Sequence, residues 1–139
     1  MRISIPGAFI AAIVISLIGW IWEAHFGGVA PAGIPGAIVA TVKSNYIAAA
    51  MALANSLLIA VGLGWIIGKF KDRSIATGLV SGVGAFLFFV LTTISGMYVK
   101  SGNPMGPDLH PLLMTGASHL LLYVVAGLIM GAMAPRKTY

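Results

Sequence analysis

The side chains here that can do chemistry are mostly histidines and carboxylates, and the chain has three of each. Two short patterns combine them, Glu23-x-His25 and Asp108-x-His110. Imidazole and carboxylate together suit zinc, copper or iron. If the two patterns meet at one rim, Glu23, His25, Asp108 and His110 form a candidate metal site, with a metal-dependent enzyme as one reading. The plainer account is that polar residues collect where apolar segments end. On that account Asp108 caps a helix N-terminus, where the helix dipole favours a carboxylate. His119 stands apart, inside Thr115-Gly116-Ala117-Ser118-His119-Leu120-Leu121-Leu122-Tyr123, within the last of four long apolar runs. An ionisable group inside a membrane span is costly when charged, usually faces inward, and marks a candidate site.

The elements that must position these groups follow from composition. Of 139 residues, 59 % are apolar and 8 % charged, with a mean hydropathy of +1.01. A soluble domain carries about 25 % charged residues, so the expectation is an all-α integral membrane protein. One membrane domain over residues 1–139 holds four spans, at about 5–22, 44–68, 75–99 and 111–133. Each is near the ~20 residues a bilayer requires. The run from Ile5 to Trp22 is long for the apolar part of a signal peptide, which favours a span. Between spans lie the Gly/Pro-rich stretch 27–36, the polar turn 69–73 and the loop 100–108.

The net charge of +5 comes from basic residues at span ends. Such residues serve orientation and headgroup contact, so no nucleic-acid partner is expected. Arg2, Lys69, Lys71, Arg73, Arg136 and Lys137 fall on one side, against Lys43 and Lys100 on the other. That asymmetry predicts both termini and the middle turn in the cytoplasm. The chain has no cysteine, which excludes disulfides, thiolate metal sites and cysteine nucleophiles.

Small residues recur at helical spacing. Span two carries Ala48, Ala52, Ser56, Ala60, Gly64 and Gly68 at steps of four. Span one has Ala8, Ala12 and Ser16; span three has Gly78 and Gly82; span four has Gly127 and Gly131. Small residues let backbones approach where lipid offers no hydrophobic gain for association. The pattern predicts a tight bundle or a dimer face.

His119 shares a stripe with Thr115, Tyr123, Gly127 and Gly131, so it is expected to point inward. It lies about 12 Å below Pro111, at about 1.5 Å per residue. Ser16 on span one and Thr92 and Thr93 on span three fall at the same depth, with Asn55 one turn deeper. Three readings follow: a neutral core histidine satisfied by a hydroxyl, a contact to a bound small molecule or lipid, or an axial ligand to a haem or chlorin. The second implies an outward-facing pocket bordered by Trp20, Ser16, Thr92, Thr93, Asn55, His119 and Tyr123. The tryptophans and tyrosines near span ends form an ordinary interfacial belt. No catalytic signature, phosphate-cradling loop or inverted repeat occurs.

Gly19-Trp20-Ile21-Trp22 ends span one, and Ala117-Ser118-His119-Leu120-Leu121 sits in span four. On these motifs the chain resembles a family of small bacterial four-span membrane proteins catalogued as domain of unknown function 1761. That family has Gly-x-x-Trp-Tyr at the first position and a similarly placed histidine at the second. Trp22 and Glu23 stand where an aromatic-Ser-Pro run would be usual. The resemblance implies a fold, links Trp20 with His119, and implies no activity.

The combined expectation is a four-transmembrane-helix bundle of the bacterial inner membrane. It is non-catalytic, holds a lipid-like or small ligand or serves as an accessory subunit, and forms a homo-oligomer or joins a larger complex. The sequence leaves the cofactor unknown, and a bound lipid is compatible with it. A small-solute transporter or channel is the alternative.

Overall fold

A computed structural model of the chain describes residues 3–26, 46–93, 95–96 and 109–135. The described residues are helical, with no strand. They form α1 (Ile5–Phe26), α2 (Tyr46–Ile67), α3 (Ile75–Ala85) and α4 (Leu109–Ala132), and α3 runs on into a wide π-helical stretch at Phe86–Leu91. Two of them, α1 through Ile5–Trp22 and α2 through Ala49–Ile67, are long and apolar enough to cross a membrane. The apolar parts of the others, Ile75–Leu91 and Gly116–Ala132, are shorter.

Local chemistry sets several boundaries. Ser4 accepts a hydrogen bond from the Gly7 amide at 3.1 Å, satisfying one amide that a helix start leaves open. Pro6 follows in the first turn, where its missing N–H costs nothing. After α2 the chain turns tightly: the Lys69 and Phe70 amides reach the Ile66 and Ile67 carbonyls at 2.9 and 3.1 Å. Ser74 then adopts an extended conformation and caps α3 by accepting from the Thr77 amide at 3.3 Å. Arg73 ties two helix ends together. Its guanidinium donates to the Gly68 and Pro135 carbonyls, both at 3.1 Å, just beyond the C-termini of α2 and α4.

Helix α4 touches the other three. Helix α1 packs on α2 and α4, while α3 rests chiefly on α4 and meets α2 only lightly. Small side chains fill the interior. Ala8, Ala11, Ala12 and Ser16 of α1 are buried, as are Ser56 and Ala60 of α2, Ser81 and Ala85 of α3, and Ala126 of α4. The few large buried groups among the described residues are Ile15, Leu63, Ile67, Phe86 and Met130. Bulky apolar groups such as Phe9, Ile13, Met51, Leu58, Trp65 and Phe88 lie outside.

The α3–α4 contact is backbone on backbone. A Cβ added at Gly78 would strike the Gly127 carbonyl, one at Gly127 the Gly78 carbonyl, and one at Gly82 the Tyr123 carbonyl. One at Gly131 would come within 2.9 Å of the Gly78 Cα. The two glycine pairs expected to mark helix contacts are therefore each other's partners. Carbonyl groups cannot swing aside as a flexible side chain can. Gly127→Leu should therefore destabilise the folded protein by about 3 kcal/mol. Gly84→Ala, where a Cβ meets nothing within 4 Å, should be neutral or stabilising by up to about 1 kcal/mol. Thermal unfolding of both variants in detergent checks the contrast.

Candidate functional site: a lateral groove

The structure does not draw the expected polar layer together. Ser16 is buried, but its hydroxyl donates to the Ser56 hydroxyl at 2.9 Å, where α1 crosses α2. Thr92 and Thr93 are exposed and bond their own helix. The Thr92 hydroxyl donates to the Phe88 carbonyl and the Thr93 hydroxyl to the Phe89 carbonyl, both at 2.6 Å. Ser95 does the same to Leu91 at 2.7 Å.

The cause is the wide stretch Phe86–Leu91. Hydrogen bonds from residue i to i+5 insert an extra residue relative to an α-helix. The buried stripe Gly78, Gly82, Phe86 therefore does not continue to Phe89, which is exposed. Every residue beyond is rotated from its α-helical expectation. The threonine hydroxyls serve as local donors to carbonyls of the wide turn, a common use of Thr inside a helix.

The other expected site residues are dispersed. Trp20, His119 and Tyr123 are half-buried, and Asn55 is exposed on the outer face of α2. His25 is exposed at the end of α1. Trp22, His25, Ser118 and His119 each have an interaction partner. Asp108 and the side chains of Glu23 and His110 lie outside the described residues. Among the described residues no three His, Asp or Glu groups are placed to hold one metal ion.

A cavity of about 270 Å³ does open between α2 and α3. Leu58, Ile59, Gly62, Leu63 and Ile66 form one wall, Ala85 and Phe89 the other, and Tyr123 of α4 joins them. It exists because α3 is drawn onto α4 by its glycines and leaves α2. Gly62 lines it with nothing within 4 Å of a Cβ position. Among the lining side chains the Tyr123 hydroxyl is the one polar group, so the groove is suited to an apolar molecule with at most one hydrogen-bonding group. Its volume is near the lower end of the roughly 300–1,000 Å³ usual for ligand pockets.

Of the residues singled out from sequence, only Tyr123 lines this groove. Gly62 was the available signal, a glycine in α2 that falls off the four-residue stripe of small residues and so is not needed for the helix crossing.

The Ser16–Ser56 bond is a buried contact between hydroxyls of two helices. A double-mutant cycle of Ser16→Ala and Ser56→Ala should give a coupling of about 1 kcal/mol, the usual net size of a buried hydrogen bond. A coupling of zero would show that the hydroxyls find equal partners elsewhere.

No family model, curated protein or solved structure matches this chain.

Proposed function

We propose that the chain is a four-span protein of the bacterial cytoplasmic membrane, with both termini inside, which holds a lipid-like or small apolar ligand in its lateral groove. It acts without catalysis, as a binding protein or as an accessory subunit of a membrane complex. The groove is the observation that carries this reading. It is apolar, open to the side, and bounded by helices whose outer faces are themselves apolar.

The exterior supports the membrane setting. Phe9, Met51, Leu58, Val80, Phe88 and Phe89 are each more than half exposed, on three different helices. Soluble proteins rarely show contiguous apolar patches beyond a few hundred Å². A small-residue interior under a bulky apolar exterior is what helices need when they associate in lipid. The basic turn supports the orientation, with Lys69, Lys71 and Arg73 gathered at the end where α1 begins and α4 finishes.

The groove is nearer that basic end than the end expected from sequence. Gly62 lies about 8 Å from Ile67 at about 1.5 Å per residue. With the termini inside, its ligand enters from the cytoplasmic half of the bilayer. A transport path is less well supported, because α3 and α4 meet backbone to backbone between Gly78 and Gly82 on one and Tyr123 and Gly131 on the other.

Native mass spectrometry tests the groove. Wild type released from detergent should retain a lipid-mass adduct. Ile59→Trp, which fills the groove from a half-buried wall position, should lower occupancy roughly tenfold or more, equivalent to about 1.4 kcal/mol. Equal retention in the two proteins would end the groove reading. Release of the protein from membranes by carbonate would end the membrane reading.

A further inference from the structure

The outer face of α2 carries a pattern that the groove does not explain. Met51, Asn55, Leu58, Gly62, Trp65 and Lys69 recur at steps of four, three, four, three and four residues, and all six are exposed. Alternating steps of three and four give a seam with a mean period of 3.5, the repeat of a left-handed helix pair. Asn55 is near the middle of α2, which spans Tyr46–Ile67. No hydrogen bond within the described residues engages its side chain.

An exposed, unbonded amide halfway along a membrane helix is strongly disfavoured, because lipid chains supply neither donor nor acceptor. Asparagine carries both. Two such amides facing each other across a twofold axis satisfy each other, and a twofold contact places the same residue of each copy at its centre. Copies of one chain insert in the same orientation, so their seams run parallel and Asn55 meets Asn55. Gly62, two steps further along, lets the two backbones approach. A lone Asn in such a seam also fixes register and copy number. At the end of the seam Lys69 lies over the Trp65 ring, 4.8 Å from its centre. There the seam leaves hydrocarbon, and salt screens the meeting of two like charges.

We propose that a second copy of this chain docks on the α2 seam through a reciprocal Asn55 amide pair, giving a parallel dimer. This rests on the membrane reading above, though not on a ligand in the groove. Leu58 and Gly62 border both features, so the partner's helix runs along the groove's rim.

Photobleaching of singly labelled protein in liposomes, at falling protein-to-lipid ratios, measures the copy number. Wild type should bleach in two steps. Asn55→Leu keeps the face apolar and should dissociate roughly three- to thirtyfold more readily, while Asn55→Gln keeps the amide and should stay near wild type. Since the chain has no cysteine, Met51→Cys should form a disulfide-linked dimer on oxidation. Leu53→Cys, also exposed but about 200° around the helix, should not. A wild type that is monomeric at every ratio, any copy number other than two, or equal dissociation of Asn55→Leu and wild type would overturn the proposal. Loss of lipid retention in Ile59→Trp leaves the pairing unchanged, so the two readings fail separately. Release by carbonate sinks both.

Discussion

The arrangement depends on one contact, the meeting of the α3 and α4 backbones at Gly78, Gly82, Gly127 and Gly131. No side chain intervenes, and carbonyls lie where any Cβ would stand. Helix α3 has little other support, since it touches α2 only lightly. Helix α4 in turn contacts every other helix, so whatever seats α3 on α4 also sets the outline of the whole. Arg73 closes the same end by bridging the carbonyls that follow α2 and α4.

Two further features follow from that contact. Drawing α3 onto α4 separates it from α2, and the gap is the groove lined by Gly62, Phe89 and Tyr123. Filling the interior with Ala, Gly and Ser leaves the large apolar side chains outside. In water that partition would forfeit most of the stabilisation that burying apolar area brings. In lipid it forfeits nothing, and close packing and hydrogen bonds such as Ser16–Ser56 become the available sources of association. The physics of the interior and the proposed location therefore support each other.

The sequence revealed most of this where a single periodicity governed the outcome. The four-residue stripe through Ser56, Ala60 and Gly64 is buried, and the glycine pairs on α3 and α4 do mark a helix contact. Reasoning by depth failed where helix geometry changed. Thr92 and Thr93 match His119 in depth, but beyond the wide turn at Phe86–Leu91 they lie on the outside. Nothing in Phe-Leu-Phe-Phe-Val-Leu announces such a turn. Ser16 was placed with His119 by depth alone, yet a closer hydroxyl on the neighbouring helix took the bond. The groove was hidden because it is a space left by packing elsewhere. Asn55 is exposed on α2 rather than at a pocket wall, on a 3.5-residue recurrence that the sequence displays from Met51 to Lys69.

The central claim is that bulky apolar groups face lipid while small residues form the interior. The lack of native cysteines allows a clean measurement: spin labels at Phe9→Cys, Ile13→Cys, Val80→Cys and Phe88→Cys in bilayers, read by collision with oxygen and with a water-soluble nickel chelate. All four positions should collide readily with oxygen and scarcely with nickel. Preferential collision with nickel at these sites would place them in water and contradict the account.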